Sequence, residues 1–166
     1  MTNLFDYLAW RGDLTLLQVP FGNIDSLILS ALAYVFFDDI VSEAPQKRIT
    51  IRQAAERFFA RPKEQQEARM EKDLVLLEKL SQCRRFRDAE LCGYINKLDF
   101  TAEKQFSAMT VLLEDETAFL AFRGTDSSLI GWKEDFNMSF MDIVPAQREA
   151  EAYLGMIAGY FDRELR

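Results

Sequence analysis

The chain of 166 residues contains no histidine, and that absence excludes more chemistry than any motif in it supports. Histidine is the side chain that titrates near neutrality unaided, so a Ser-His-Asp or Cys-His catalytic arrangement cannot be assembled within these residues. Cysteine is nearly absent too. Cys83 and Cys92 are too few for a disulfide framework and, with no histidine beside them, for a zinc site. No metal and no cofactor is expected. Cations are scarce, 20 Lys and Arg against 27 Asp and Glu, and a net charge of −7 without a long basic run argues against nucleic acid, which is held mainly by Lys and Arg on phosphates. The longest apolar stretch, Leu27 to Phe37, is fenced by Asp25 and Asp38 and is too short to span a bilayer, so no integral membrane segment is expected. The start carries Asp6 and no basic cluster, unlike a signal peptide, which makes the cytoplasm the expected compartment.

What is present reads as a folded domain. Hydrophobic residues make up 49% and charged residues 28%, and the 14 phenylalanines imply a core with much aromatic burial. The densest basic cluster, Arg84-Arg85-Phe86-Arg87, is followed by Asp88 and Glu90 and reads as a solvated junction between elements.

Residues 1–90 read mainly as helix. Thr2 is a candidate cap for a short helix carrying Leu4, Phe5 and Leu8, with Gly12 just past its end. Asn23 is a candidate cap for a helix to Phe37, in which Ile24, Leu27, Ile28, Ala31, Leu32, Val35 and Phe36 recur at helical spacing. Asp25 then suits the positive end of the helix dipole. Thr50-Ile51-Arg52-Gln53 has capping-box spacing and opens a helix to about Phe59. Pro62 is expected to start another, with Met70, Leu74, Leu77 and Leu80 as its apolar seam.

Residues 91–166 change period. Cys92 to Leu98, Ser107 to Leu113 and Thr117 to Phe122 read as strands, the last two joined as a hairpin through Glu114-Asp115-Glu116. The near-continuous apolar run Thr117–Phe122 is expected to be buried on both faces, as central strands are. After a loop or short helix from Asp126 to about Phe140, Pro145 begins a final helix with Ala146, Ala150, Tyr153, Leu154, Ile157 and Phe161 on one side. Gly155 and Gly159 either permit close approach to a sheet or are simply tolerated. The expected fold class is α/β: a helical N-terminal region, a small and partly antiparallel sheet, and a C-terminal helix.

Chemistry points to the end of the last strand. Ala121-Phe122-Arg123-Gly124-Thr125 brings a cation and a flexible glycine to a carboxyl-terminal strand edge, where open α/β sheets bind ligands. Gly124 lets the backbone turn so that the Thr125 amide and hydroxyl become outward donors, as an oxyanion hole requires. Arg-Gly-Thr is equally an ordinary turn. Phe122-Arg123-Gly124-Thr125-Asp126 followed by Gly131-Trp132-Lys133-Glu134-Asp135-Phe136 resembles the FRGT…W-x-x-D signature of class 3 lipase-like α/β-hydrolases. Asp6 to Asp13, Pro20-Phe21, Asp25 to Ser30 and Val144 to Gln147 are also similar to a bacterial family of uncharacterised lipase-like proteins. The resemblance covers most of the chain from Leu4 to about Tyr160. It implies an α/β-hydrolase-like fold, an oxyanion role for Gly124 and Thr125, and a loop supported by Arg123, Trp132 and Asp135. Arg123 and Asp135 are better suited to a mutual ion pair above Trp132 than to substrate contact, and a carboxylate-pair mechanism through Glu134 or Asp135 is weaker still.

The rest of a hydrolase site is missing. There is no Gly-x-Ser-x-Gly elbow and no Ser-x-x-Lys. In the resembled family the helix at Pro145–Phe161 leads to the nucleophile strand. The expectation is therefore the N-terminal portion of a longer serine hydrolase acting on a lipid or small ester, truncated before that strand and inactive alone. The alternatives are a binding or assembly module with the same half-fold, and a helical regulatory module on residues 23–81. The Thr117–Phe122 strand is expected to have an unpaired side where the missing strand belongs, and dimerisation or domain swapping through that edge is expected.

Overall fold

A computed structural model describes residues 3–99, 104–124 and 145–164. Helix α1 (Leu4–Arg11) is capped by Asn3 rather than by Thr2. The Asn3 Oδ1 accepts from the amides of Phe5 at 2.8 Å and Asp6 at 3.2 Å, and the Asp6 carboxylate accepts from the Asn3 amide at 3.0 Å. Gly12 follows as its C-cap. Helix α2 (Asn23–Leu32) has Gly22 at its cap, so Asn23 is already the first helical residue, and Asp25 receives the Gly22 amide at 2.9 Å.

The helix ends at Leu32, five residues short of the expected Phe37. The amides beyond it have other partners. Phe36 N–H donates to the Glu67 carbonyl at 3.0 Å and Arg69 N–H to the Tyr34 carbonyl at 3.0 Å, around an antiparallel bridge between Val35 and Ala68. Aromatic and β-branched residues suit an extended path, and Val35 and Phe37 remain fully buried in it. The same pairing explains the next element. Pro62 leads only a single 3₁₀ turn at Lys63–Gln65, and helix α4 (Glu71–Gln82) starts after the paired segment instead of at Pro62. Helix α3 (Ile51–Phe59) opens with the Thr50–Gln53 capping box as its spacing predicts, both bonds measuring 3.2 Å.

Four strands form one sheet in the order β1 (Ile49–Thr50), β2 (Glu90–Asp99), β3 (Lys104–Leu112) and β4 (Ala118–Phe122). Strand β1 is too short to show a period in sequence. It runs antiparallel to β2, Ile49 opposite Leu91 and Thr50 opposite Glu90. The expected hairpin joins β3 to β4. Leu113 N–H donates to the Thr117 carbonyl and Arg123 N–H to the Ser107 carbonyl, both at 2.9 Å, which defines an antiparallel register. In the turn, Glu116 takes a left-handed φ of 63°, and the Asp115 carboxylate accepts from the Thr117 hydroxyl at 2.6 Å. Strand β4 is not buried on both faces. Among the described residues it is the last strand in the order, Ala118 is exposed, Phe122 is 43% exposed, and Ala121 alone of its residues is buried.

Contacts group the chain into two units. The first comprises Met1–Tyr94 with Met109–Ala121, the second Ile95–Ala108 with Phe122–Arg166. In the first, Ile28, Leu29, Leu32, Phe58, Leu77, Leu80 and Leu91 are completely buried, and Phe37 meets Phe58 and Tyr94 edge-on at 6.1 and 6.2 Å. Each such side chain contributes about 1.5–3 kcal/mol by burial. In the second, helix α5 (Pro145–Glu164) begins at the proline as expected and buries Tyr153 and Ile157. Tyr153, Phe106 and Phe122 form a ring triangle with centroids 5.8–6.4 Å apart. Leu154 turns outward, 55% exposed, and a Cβ on Gly155 would meet nothing within 4 Å, so Gly155 is a tolerated helix glycine rather than a point of close approach. The fold is mixed α and β with an antiparallel sheet. Among the described residues no helix is long and apolar enough to cross a membrane.

Candidate functional site

The candidate site begins where β4 leaves the sheet. Its ladder ends with the Arg123 amide on the Ser107 carbonyl, so any outward donor must come from the residues after Arg123. The half-buried Arg123 side chain reaches back along the sheet and donates from Nη2 to the Asn96 Oδ1 on β2. Gly124 follows, exposed. The triangle of Phe106, Phe122 and Tyr153 braces the same strand end with α5. Arg123 and Gly124 thus stand at a strand end anchored by backbone, guanidinium and aromatic contacts. Thr125, Trp132 and Asp135, and with them the expected Arg123–Asp135 ion pair, lie outside the described residues.

Asn96 was not singled out in the sequence. The available signal was a lone amide in the strand segment Cys92–Leu98, directly after the apolar Tyr94-Ile95.

A second polar constellation was missed more completely. Arg85 does not belong to a solvated junction: its side chain is fully buried, and Phe86 beside it is buried as well. Its guanidinium grips the Asp25 carboxylate with two bonds, Nε to Oδ1 at 2.8 Å and Nη2 to Oδ2 at 2.6 Å. Nη1 donates to the carbonyls of Leu14, Thr15 and Val19 at 3.0–3.3 Å. The Tyr7 hydroxyl donates to Asp25 Oδ1 at 3.0 Å. Burial pushes the Asp25 carboxyl upward, but the bonds from Arg85, the Gly22 amide and Tyr7 outweigh it and hold its pKa below the ordinary carboxylate value. The Asp25 bond raises Arg85 further, and burial with the Asp25 bond raises Tyr7. Every group is fixed in one protonation state near neutrality. The cluster ties the Leu14–Val19 segment to α1 and α2 and has no free acid or base to offer a reaction.

The thiols are equally unsuited to nucleophilic chemistry. Cys92 is buried, and burial pushes the Cys83 thiol above its usual value, away from the thiolate that attacks.

Residues 80–166 match the family described as Mbeg1-like, a stretch that contains β2, β3, β4, α5 and the whole candidate loop. No curated protein and no solved structure matches the chain.

Proposed function

The chain belongs to the Mbeg1-like family. From the resemblance of Phe122–Asp126 to lipase-like sequences and from the anchored strand end, we propose that it is the oxyanion-loop portion of a lipase- or esterase-like serine hydrolase of the α/β-hydrolase type. Gly124 and Thr125 supply the donors for the anionic intermediate of ester or acyl hydrolysis. The nucleophile and its histidine base belong to other residues of the functional enzyme, since the chain has no histidine. The observation that carries this reading is the anchored strand end. Arg123 is held by Ser107 and Asn96, so the chain leaves the sheet at Gly124 from a fixed point. Preorganised donors are worth several kcal/mol to a transition state when their support does not move. Arg123 is a positioning residue in this scheme.

The complete reading frame that encodes this segment tests the proposal. A Gly-x-Ser-x-Gly elbow followed by Asp and His in the same frame is the expected result. A frame without them overturns the hydrolase reading in favour of a second, that the same half-fold is a binding or assembly module. The exposed Ala118 and Phe122, on the strand that ends the described sheet order, favour that alternative.

A further inference from the structure

Charge and shape converge a second time in a pocket of about 380 Å³ between α1 and α4. That volume lies within the range of small-ligand sites. Its floor is Leu8, Gly12 and Cys83, and Gly12 is what lets the ends of the two helices meet there. A Cβ at that position would stand 2.4 Å from the Leu8 carbonyl oxygen and 3.0 Å from the Cys83 Cβ. The rim is cationic. Lys79, Arg84 and Arg87 line it against the single carboxylate of Asp13, on a chain whose net charge is −7.

The carboxyl ends of α1 and α4 both meet here and together add about one negative charge, which with Asp13 reduces but does not cancel the excess of cations. Arg87 is oriented by an Nε bond to Asp88 at 3.1 Å, and because Asp88 is shared with Arg52 it offsets only part of the charge of Arg87. An apolar floor beneath a cationic rim complements one ligand class: an anionic head on an apolar tail. We propose that the pocket between α1 and α4 binds a small organic anion, a carboxylate with a short aliphatic chain. The inference stands on different residues from the strand end and is independent of the hydrolase reading.

Calorimetric titration of the full chain with octanoate, inorganic phosphate and octyl glucoside separates head from tail. Octanoate is expected to bind saturably with Kd of about 1 mM or tighter, and each of the other two at least about tenfold more weakly. Ala9→Phe, which fills the mouth from an exposed position on α1, and the exposed pair Lys79→Glu with Arg84→Glu should each weaken octanoate about tenfold, with circular dichroism melting curves close to wild type. Saturating octanoate should also slow alkylation of Cys83, followed by peptide mass spectrometry at alkaline pH. If Ala9→Phe fails to fold, the charge-reversal pair decides the matter. Absence of saturable octanoate binding, equal binding of either control compound, or affinity and Cys83 alkylation indifferent to these changes overturns the proposal.

Discussion

Replacing Asp25 by Asn removes the carboxylate that, among the described residues, pairs with the fully buried Arg85 side chain, while changing almost no volume. Three donors lose a charged acceptor together: the guanidinium, which held it at 2.6 and 2.8 Å, the Gly22 amide at 2.9 Å and the Tyr7 hydroxyl at 3.0 Å. The new amide nitrogen points a donor at donors. Arg85 keeps its bonds to the Leu14, Thr15 and Val19 carbonyls but is left as a buried charge without a counter-ion. Breaking such a pair from one side costs about 3–5 kcal/mol. That is a large share of the roughly 5–15 kcal/mol a domain has in total. Urea unfolding should register this loss, and the melting temperature should fall by roughly 6–20 °C. Arg85→Met alone should also be costly, whereas the double variant should be less destabilised than the two single losses added, because with both groups replaced no buried charge is left unpaired. The pH dependence follows from the direction of the shift. The pKa of Asp25 is lowered by folding, so its contribution is complete above the unfolded-state value and disappears as pH falls through the folded one. Wild-type stability should therefore decline in acid, below about pH 4, more steeply than that of Asp25→Asn. A loss under about 1 kcal/mol, or strict additivity in the double variant, would refute the reasoning.

Other outcomes are more quickly stated. Thr50→Ala removes the hydroxyl that accepts the Gln53 amide and should cost about 1 kcal/mol in chemical denaturation. Leu77→Ala opens a cavity at a completely buried site of α4 and should cost about 2–5 kcal/mol. Purified chain should hydrolyse p-nitrophenyl esters no faster than its Thr125→Ala variant, and turnover above that control would mean that the chain is not catalytically incomplete. If the chain self-associates through β4, Leu120→Pro should abolish the association seen by light scattering at high concentration. A strictly monomeric wild type would remove that interface.

The last of these rests on register. The bonds Leu113 N–H to Thr117 and Arg123 N–H to Ser107 assign the odd-numbered residues of β4 to the ladder with β3. The amides of Ala118, Leu120 and Phe122 consequently point the other way, and a proline at Leu120 removes one of them without touching β3. No pattern of apolar residues could have supplied this. The run Ala118–Phe122 reads as a strand from composition alone, but whether it is central or terminal depends on what pairs with its other side. The apolarity suggested a central place, whereas the described sheet order puts it last.

The same boundary between local and distant causes separates what could be read from what could not. The Thr50–Gln53 box, the Pro145 start and the β3–β4 hairpin were legible because each is determined within a few residues by capping, ring geometry or loop length. The end of α2 was not, because the amide of Phe36 is satisfied by Glu67. Nor was the burial of Arg85, whose counter-ion lies 60 residues away. Arg123 shows both sides at once. Its position before a glycine at a strand end marked it as significant, while its link to Asn96, 27 residues distant, is what makes the strand end firm. A turn of Arg-Gly-Thr is common. Here the arginine before the glycine is tied back to Asn96, so the strand end is a fixed point, and the proposed oxyanion role of the residues after it rests on that support.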